Sequence, residues 1–127
     1  MMLRNLLFVA LGGALGSCSR YLLVRLSAQL WPSGVPAAGT LVVNFVGCLL
    51  IGCLLGLAER GRLMSPALSL ILITGFCGGL TTFSTFSADI VGILDRGRVV
   101  QAVGYAALTL AGGVALTLVG RAAALRL

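Results

Sequence analysis

The fourteen residues Thr74-Gly75-Phe76-Cys77-Gly78-Gly79-Leu80-Thr81-Thr82-Phe83-Ser84-Thr85-Phe86-Ser87 bring together groups that seldom meet in so apolar a chain. Two adjacent glycines precede five hydroxyl residues within seven positions. A Gly-Gly pair lowers helix propensity by about 2 kcal/mol relative to Ala-Ala, and threonine hydroxyls can bond freed backbone carbonyls. Together they predict a helix interrupted near Gly78–Thr81. Carbonyls exposed at such a break are ligands for a cation, and the N-terminus of the following half-helix favours an anion. The alternative is a glycine-packed kink whose hydroxyls bond back to their own helix, and the stretch alone leaves both open. Phe83 and Phe86, three positions apart, share one helix face. Alternating with Thr82, Ser84, Thr85 and Ser87, they would set electropositive ring edges beside a polar path. A small anion could touch those edges without binding tightly.

The elements that must position this stretch follow from composition. Of 127 residues, 59% are hydrophobic and 9% charged, and the mean hydropathy is +1.12. A soluble domain carries roughly a quarter charged residues, so lipid must solvate most of this chain. Uncharged stretches run from Asn5 to Ser19, Leu26 to Ala58, Leu63 to Ala88 and Val99 to Gly120. A helix of about 20 apolar residues crosses a hydrocarbon core of about 30 Å. Four spans are expected, near 4–26, 37–57 (after Pro32, Gly34 and Pro36), 66–94 with the break near 78–81, and 99–120. The fold class is therefore an all-α integral membrane protein with four transmembrane helices, the third broken mid-membrane. Arg4, the run Leu6–Ala14 and Leu15-Gly16-Ser17-Cys18 also resemble a lipoprotein signal peptide. Apolar character resumes at Tyr21-Leu22-Leu23-Val24, which favours a retained helix.

All nine basic residues are arginine, against three acids. They scatter through loops and span ends, which argues against a nucleic-acid partner. With a cytoplasmic N-terminus, that side holds Arg4, Arg60, Arg62, Arg121 and Arg126. The other side holds Arg20, Arg25, Arg96 and Arg98. Orientation follows the excess of basic residues in short loops, and five against four is almost none. Both orientations are then open to the chain, and opposed copies could pair as an antiparallel dimer. If Arg20 lies inside the first span, the count is five against three, a weak cytoplasmic N-terminus. The pairs Gly12/Gly16, Gly52/Gly56 and Gly75/Gly79 have the spacing that lets helix backbones approach, which indicates packing. Cys18, Cys48, Cys53 and Cys77 form no Cys-x-x-Cys pair and there is no histidine, so zinc or redox chemistry is not expected.

The run Gly75 to Phe86, with Gly16 and Arg20-Tyr21 in the first span and Gly39-Thr40-Leu41-Val42-Val43-Asn44 in the second, resembles the signature of the Fluc (CrcB) family of fluoride channels. The resemblance extends over essentially the whole chain. It implies an antiparallel dual-topology homodimer with two pores, usually in a bacterial inner membrane, that carries fluoride out of the cytoplasm. It also implies a structural sodium ion at the dimer centre, held by the backbone carbonyls at Gly78 and Thr81, an oxygen set that suits a hard cation. The pore positions it implies are Asn44, Phe83, Ser84, Thr85 and Phe86, with a polar track at Tyr105, Thr109 and Thr117 on the fourth span. Between the last two, where the family often has serine, this chain has Gly113. Arg20 matches an arginine near the pore vestibule that would attract anions; otherwise it is a snorkelling interfacial arginine. Such a pore would replace fluoride's hydration with several weak donor sites, and movement would be passive because no acid sits mid-span.

Other functions fit less well. A small multidrug exporter shares the four-span antiparallel design but needs an intramembrane carboxylate. The first span here has none, and Glu59, Asp89 and Asp95 lie at or near span ends. A non-transporting interaction subunit would explain the glycines but not the hydroxyl–Phe motif. An enzyme is not expected, since no histidine, lysine or buried acid is present to activate a serine.

Overall fold

Residues 1–31, 37–61 and 65–127 are described in a computed structural model, and every regular element among them is helical. Pro32, Gly34, Pro36 and Arg62 lie outside the described residues. Helix α1 spans Met2–Leu30 and α2 spans Ala38–Glu59. The third span, Pro66–Asp95, is composite. It opens with α3 (Pro66–Ser69), continues as a π-helix over Leu70–Cys77, and closes its first half with the single turn α4 (Gly78–Leu80). Its second half is α5 (Phe83–Asp95), and α6 (Val99–Arg126) completes the chain. Among the described residues, four helices are therefore long and apolar enough to cross a bilayer, the third of them interrupted.

Local sequence accounts for the boundaries. The Ser65 side chain accepts from the Leu68 N–H at 3.2 Å, with Pro66 at the first helical position, the standard way to begin a helix. The turn after α5 closes at Gly97, whose φ of +72° suits a residue without Cβ. On the outer faces, Leu6, Leu7, Leu11 and Leu15 are each more than half exposed, as a lipid-facing surface requires. At the far end of α2, Glu59 holds Arg121 of α6 by two bonds of 2.7 and 2.8 Å. Beside it the Arg60 guanidinium donates to the carbonyls of Ala124 and Leu125, satisfying acceptors that a helix C-terminus leaves free.

Small residues set the packing inside. Gly12 and Gly16 of α1 lie against the backbone of Ile71, Phe76 and Leu80, while Gly75 and Gly79 lie against that of Gly12 and Gly13. Gly52 and Gly56 similarly meet the backbone of α6 at Thr117 and Arg121. All three Gly-x-x-x-Gly pairs thus seat helices of one chain against each other. In the absence of a hydrophobic drive between lipid-soluble helices, such close van der Waals contact is what binds them.

The interruption falls at Thr81 (φ −80°, ψ 158°) and Thr82 (φ −151°, ψ 119°). Gly78 and Gly79 themselves are helical. The break therefore lies at the end of the stretch that sequence suggested. Glycine flexibility is not its cause, since Gly79 is needed for contact with Gly13 and Ser17. The π-winding before the break was not anticipated either.

The tightness of the α1 seam has a measurable consequence. Gly16→Ala places a methyl group into the Phe76 carbonyl and should destabilise the protein by about 1–3 kcal/mol, as overpacking does. Gly104→Ala, where a Cβ meets nothing within 4 Å, should be nearly neutral; thermal unfolding in detergent micelles distinguishes the two.

Candidate conduction groove

The interrupted backbone is held by one side chain from α2. Asn44 Oδ1 accepts from the Thr82 N–H at 2.8 Å, and Asn44 Nδ2 donates to the Thr82 carbonyl at 3.2 Å. A primary amide has an acceptor and a donor at the spacing of a peptide edge, so Asn44 pairs with Thr82 as a neighbouring strand would. The Thr82 N–H would otherwise close on Gly78, so this pairing leaves the Gly78 carbonyl without its helical donor. Thr82 also caps α5: its Oγ1 accepts from the Thr85 N–H at 3.2 Å and reaches Thr85 Oγ1 at 3.1 Å. Thr81 Oγ1 donates back to the Cys77 carbonyl at 2.9 Å. Gly47, one turn beyond Asn44, has no Cβ, and that space is taken by the Thr81 methyl group.

Beside the break lies an open cavity of about 630 Å³ between α2, the third span and α6. Asn44, Gly78, Thr81, Phe83, Phe86, Thr109 and Thr117 all face it. The sites expected from sequence on three separate spans therefore converge. Phe83 is 76% exposed and Phe86 is buried. Their ring centroids are 5.7 Å apart, and Phe86 lies 5.4 Å from Tyr105. The Tyr105 hydroxyl donates to Asp89 Oδ2 at 3.3 Å. Thr109 Oγ1 is buried with no partner among the described residues, whereas Thr117 Oγ1 donates to the Gly113 carbonyl at 2.9 Å.

Some expected residues stand apart from this wall. Ser84 and Thr85 are exposed and bond to Thr82, so they act at the cap. Tyr105 is buried behind Phe86. Arg20 Nη1 approaches the Thr81 carbonyl at 3.4 Å, putting a positive charge against the break. Three residues that sequence reasoning passed over have a part here: Thr82 as the bridged residue, Asp89 as the acceptor for Tyr105, and Cys48 on the groove wall. Thr82 was visible as a hydroxyl inside the motif. Asp89 reads in sequence only as an acid near a span end and Cys48 only as a cysteine without a Cys-x-x-Cys partner.

The electrostatic character of the groove is mixed. The N-terminus of α5 opens beside it, and helix N-termini carry positive partial charge. Against this stand the carbonyls of Gly78 and Thr81. No cluster of three metal-ligating side chains occurs among the described residues. The carbonyls of Gly78 and Thr81 are oxygens of the kind a hard cation takes, but the Thr81 carbonyl already faces the positive Arg20 guanidinium at 3.4 Å.

Asn44 sets a clear expectation. Asn44→Ala leaves the Thr82 N–H unpaired within the membrane, while the Thr82 carbonyl keeps its place at the start of α5, and should lower stability by about 1–3 kcal/mol. Asn44→Asp keeps the acceptor but loses the donor, so it should fall between; unfolding midpoints in detergent measure both.

Comparison with known proteins bears on the whole chain. The family model described as "CrcB-like protein, Camphor Resistance (CrcB)" matches residues 7–121. A protein of Bordetella petrii named "Fluoride-specific ion channel FluC" is 48% identical over 121 residues, covering 94% of this chain and 91% of the relative. Proteins of the same name from Pseudomonas syringae pv. maculicola and Pseudomonas putida are 43% and 41% identical; they cover 94% and 95% of this chain, and 92% and 94% of their own lengths. With the motif residues gathered on one groove and the family match spanning four helices, the chain belongs to the CrcB family.

Proposed function

We propose that this protein is a passive, fluoride-selective channel of a bacterial inner membrane that lowers cytoplasmic fluoride. The observation that carries the reading is the groove itself, where a mid-membrane break braced by Asn44 adjoins Phe83, Phe86 and the Thr109 hydroxyl. The relatives' shared name agrees with it. They are named as channels, and catalysis forms no part of the reading.

The physical problem for such a channel is dehydration. Removing a small anion from water into a low-dielectric medium costs tens of kcal/mol unless donors replace the water. The groove offers the unpartnered Thr109 hydroxyl, the second amide hydrogen of Asn44 and the edges of two phenyl rings. Each is weak alone. A series of weak sites lets an ion enter and still leave. Arg20 and the α5 N-terminus add positive potential near the break, which favours anions over cations.

The functional unit in this reading is an antiparallel dual-topology homodimer with two pores. Phe83 lines the groove and is largely exposed. Irregular backbone at membrane depth requires cover by protein or water, and a second copy would supply it. The near balance of arginines between the two sides favours insertion in both orientations. The carbonyls of Gly78 and Thr81 would hold a structural sodium ion, which when bound supplies a fixed positive charge at the dimer centre.

Liposomes containing the purified protein should release fluoride rapidly, as read by a fluoride electrode, and retain chloride. Phe83→Ile or Phe86→Ile should reduce release by about tenfold or more, since an aliphatic chain has no electropositive edge. Vesicles that hold fluoride, or lose both anions alike, would refute the channel reading. For orientation, a single cysteine introduced in the Arg96–Arg98 turn of a cysteine-free variant should label from both faces of the cell membrane; labelling from one face only would refute dual insertion.

A further inference from the structure

Thr109, Gly113 and Thr117 follow each other at intervals of four on α6, so they form one ladder on one face. All three line the groove, and the middle rung has no side chain. Nor does Thr117 offer its proton, which it gives to the Gly113 carbonyl. Below Thr109, α6 by itself presents no free donor to the groove.

The place is filled from the opposite wall. A Cβ built on Gly113 would stand 3.2 Å from the sulfur of Cys48, the one atom found within 4 Å of it. Cys48 is a free, half-buried thiol on α2, one turn beyond Asn44, and it lines the same groove. A side chain at 113 would crowd the sulfur, so absence of one and presence of the other form a complementary pair. A thiol is a donor, though a weaker one than a hydroxyl.

We propose that Cys48 is a pore-lining residue whose S–H takes the place of the missing side chain at Gly113, so that the donor ladder passes from Thr109 on α6 to Cys48 on α2. The inference rests on the channel reading above. A hydroxyl binds a fluoride ion more firmly than a thiol does, so this rung is a weak step in the ladder, and its chemistry tunes the rate. Cys53 provides the contrast. Its sulfur also faces a glycine, Gly120, at 3.2 Å, but the Leu49 carbonyl packs there as well and neither residue lines the groove.

Fluoride release from liposomes tests this with three variants at position 48. Cys48→Ser keeps a donor, whereas Cys48→Val and Cys48→Ala remove it. The two apolar variants should slow release by about tenfold, the kinetic equivalent of one lost hydrogen bond, and Cys48→Ser should be faster than either. Cys48→Ala/Gly113→Ser returns a donor from α6 and should recover most of the loss, while Cys53→Ala leaves the rate as it was. A packing role would reverse the order, favouring valine over serine, and would give no rescue by Gly113→Ser. Either result overturns the proposal. Should Cys48→Val fail to remain monodisperse, Cys48→Ala and its double variant carry the comparison alone. Absence of fluoride release from the unaltered protein would reject the channel reading itself; release that is indifferent to residue 48 would reject only this inference.

Discussion

An unpaired peptide group in hydrocarbon costs several kcal/mol, and the Asn44–Thr82 pairing is how this chain meets that constraint. The third span stops being helical at Thr81–Thr82. Without a partner, the Thr82 N–H would be orphaned in the membrane, whereas the Thr82 carbonyl, at the N-cap of α5, accepts that helix's first bond. One side-chain amide from α2 satisfies the N–H at 2.8 Å and adds a second bond to the carbonyl at 3.2 Å. The rest follows from where that amide stands. It fixes the start of α5, hence the direction of Phe83 and Phe86, and it leaves the Gly78 carbonyl free.

The two halves of the third span answer to different neighbours. The first half is seated on α1 by backbone-to-backbone contact at Gly12, Gly16, Gly75 and Gly79. The second half lies along α6, where Phe86, Ile93, Ala102 and Tyr105 form a small buried cluster. Meanwhile α2 and α6 are packed closely through Gly52, Gly56 and Gly120 and tied at one end by Glu59 and Arg121. The groove exists because the broken span bridges these two units without filling the space between them. Ile51, Ile73, Leu110, Val114 and Leu118 line it together with Phe83 and Phe86, so polar groups are few along its walls.

Much of the architecture was legible in the sequence. Long uncharged runs admit only membrane helices, since lipid leaves backbone groups no other partner. The break was legible because Gly-Gly followed by threonines opposes a continuous helix. Its position was not, because the deciding partner is 38 positions away in sequence. Propensity pointed to the glycines, whereas tertiary pairing selected Thr81 and Thr82. The convergence of Asn44, Phe83, Phe86, Thr109 and Thr117 on one groove came through resemblance to a family motif; periodicity alone would have placed them only on their separate helices. Arg20 was legible as a charge near the first span, but its contact with the Thr81 carbonyl depends on how α1 meets the break. Cys48 was invisible, since a cysteine in a span looks like any small apolar residue until its neighbour is known.

The π-wound stretch Leu70–Cys77 bears on how this chain can vary in length. Each α-helical residue advances the chain by about 100° of rotation, and π-bonding from i to i+5 holds extra residue content in each turn. Losing one residue there would let the stretch rewind as α-helix through about the same total rotation, so Thr81 and Thr82 would keep their direction toward α2. The third span thus has one place, Leu70–Cys77, where a change of length is absorbed.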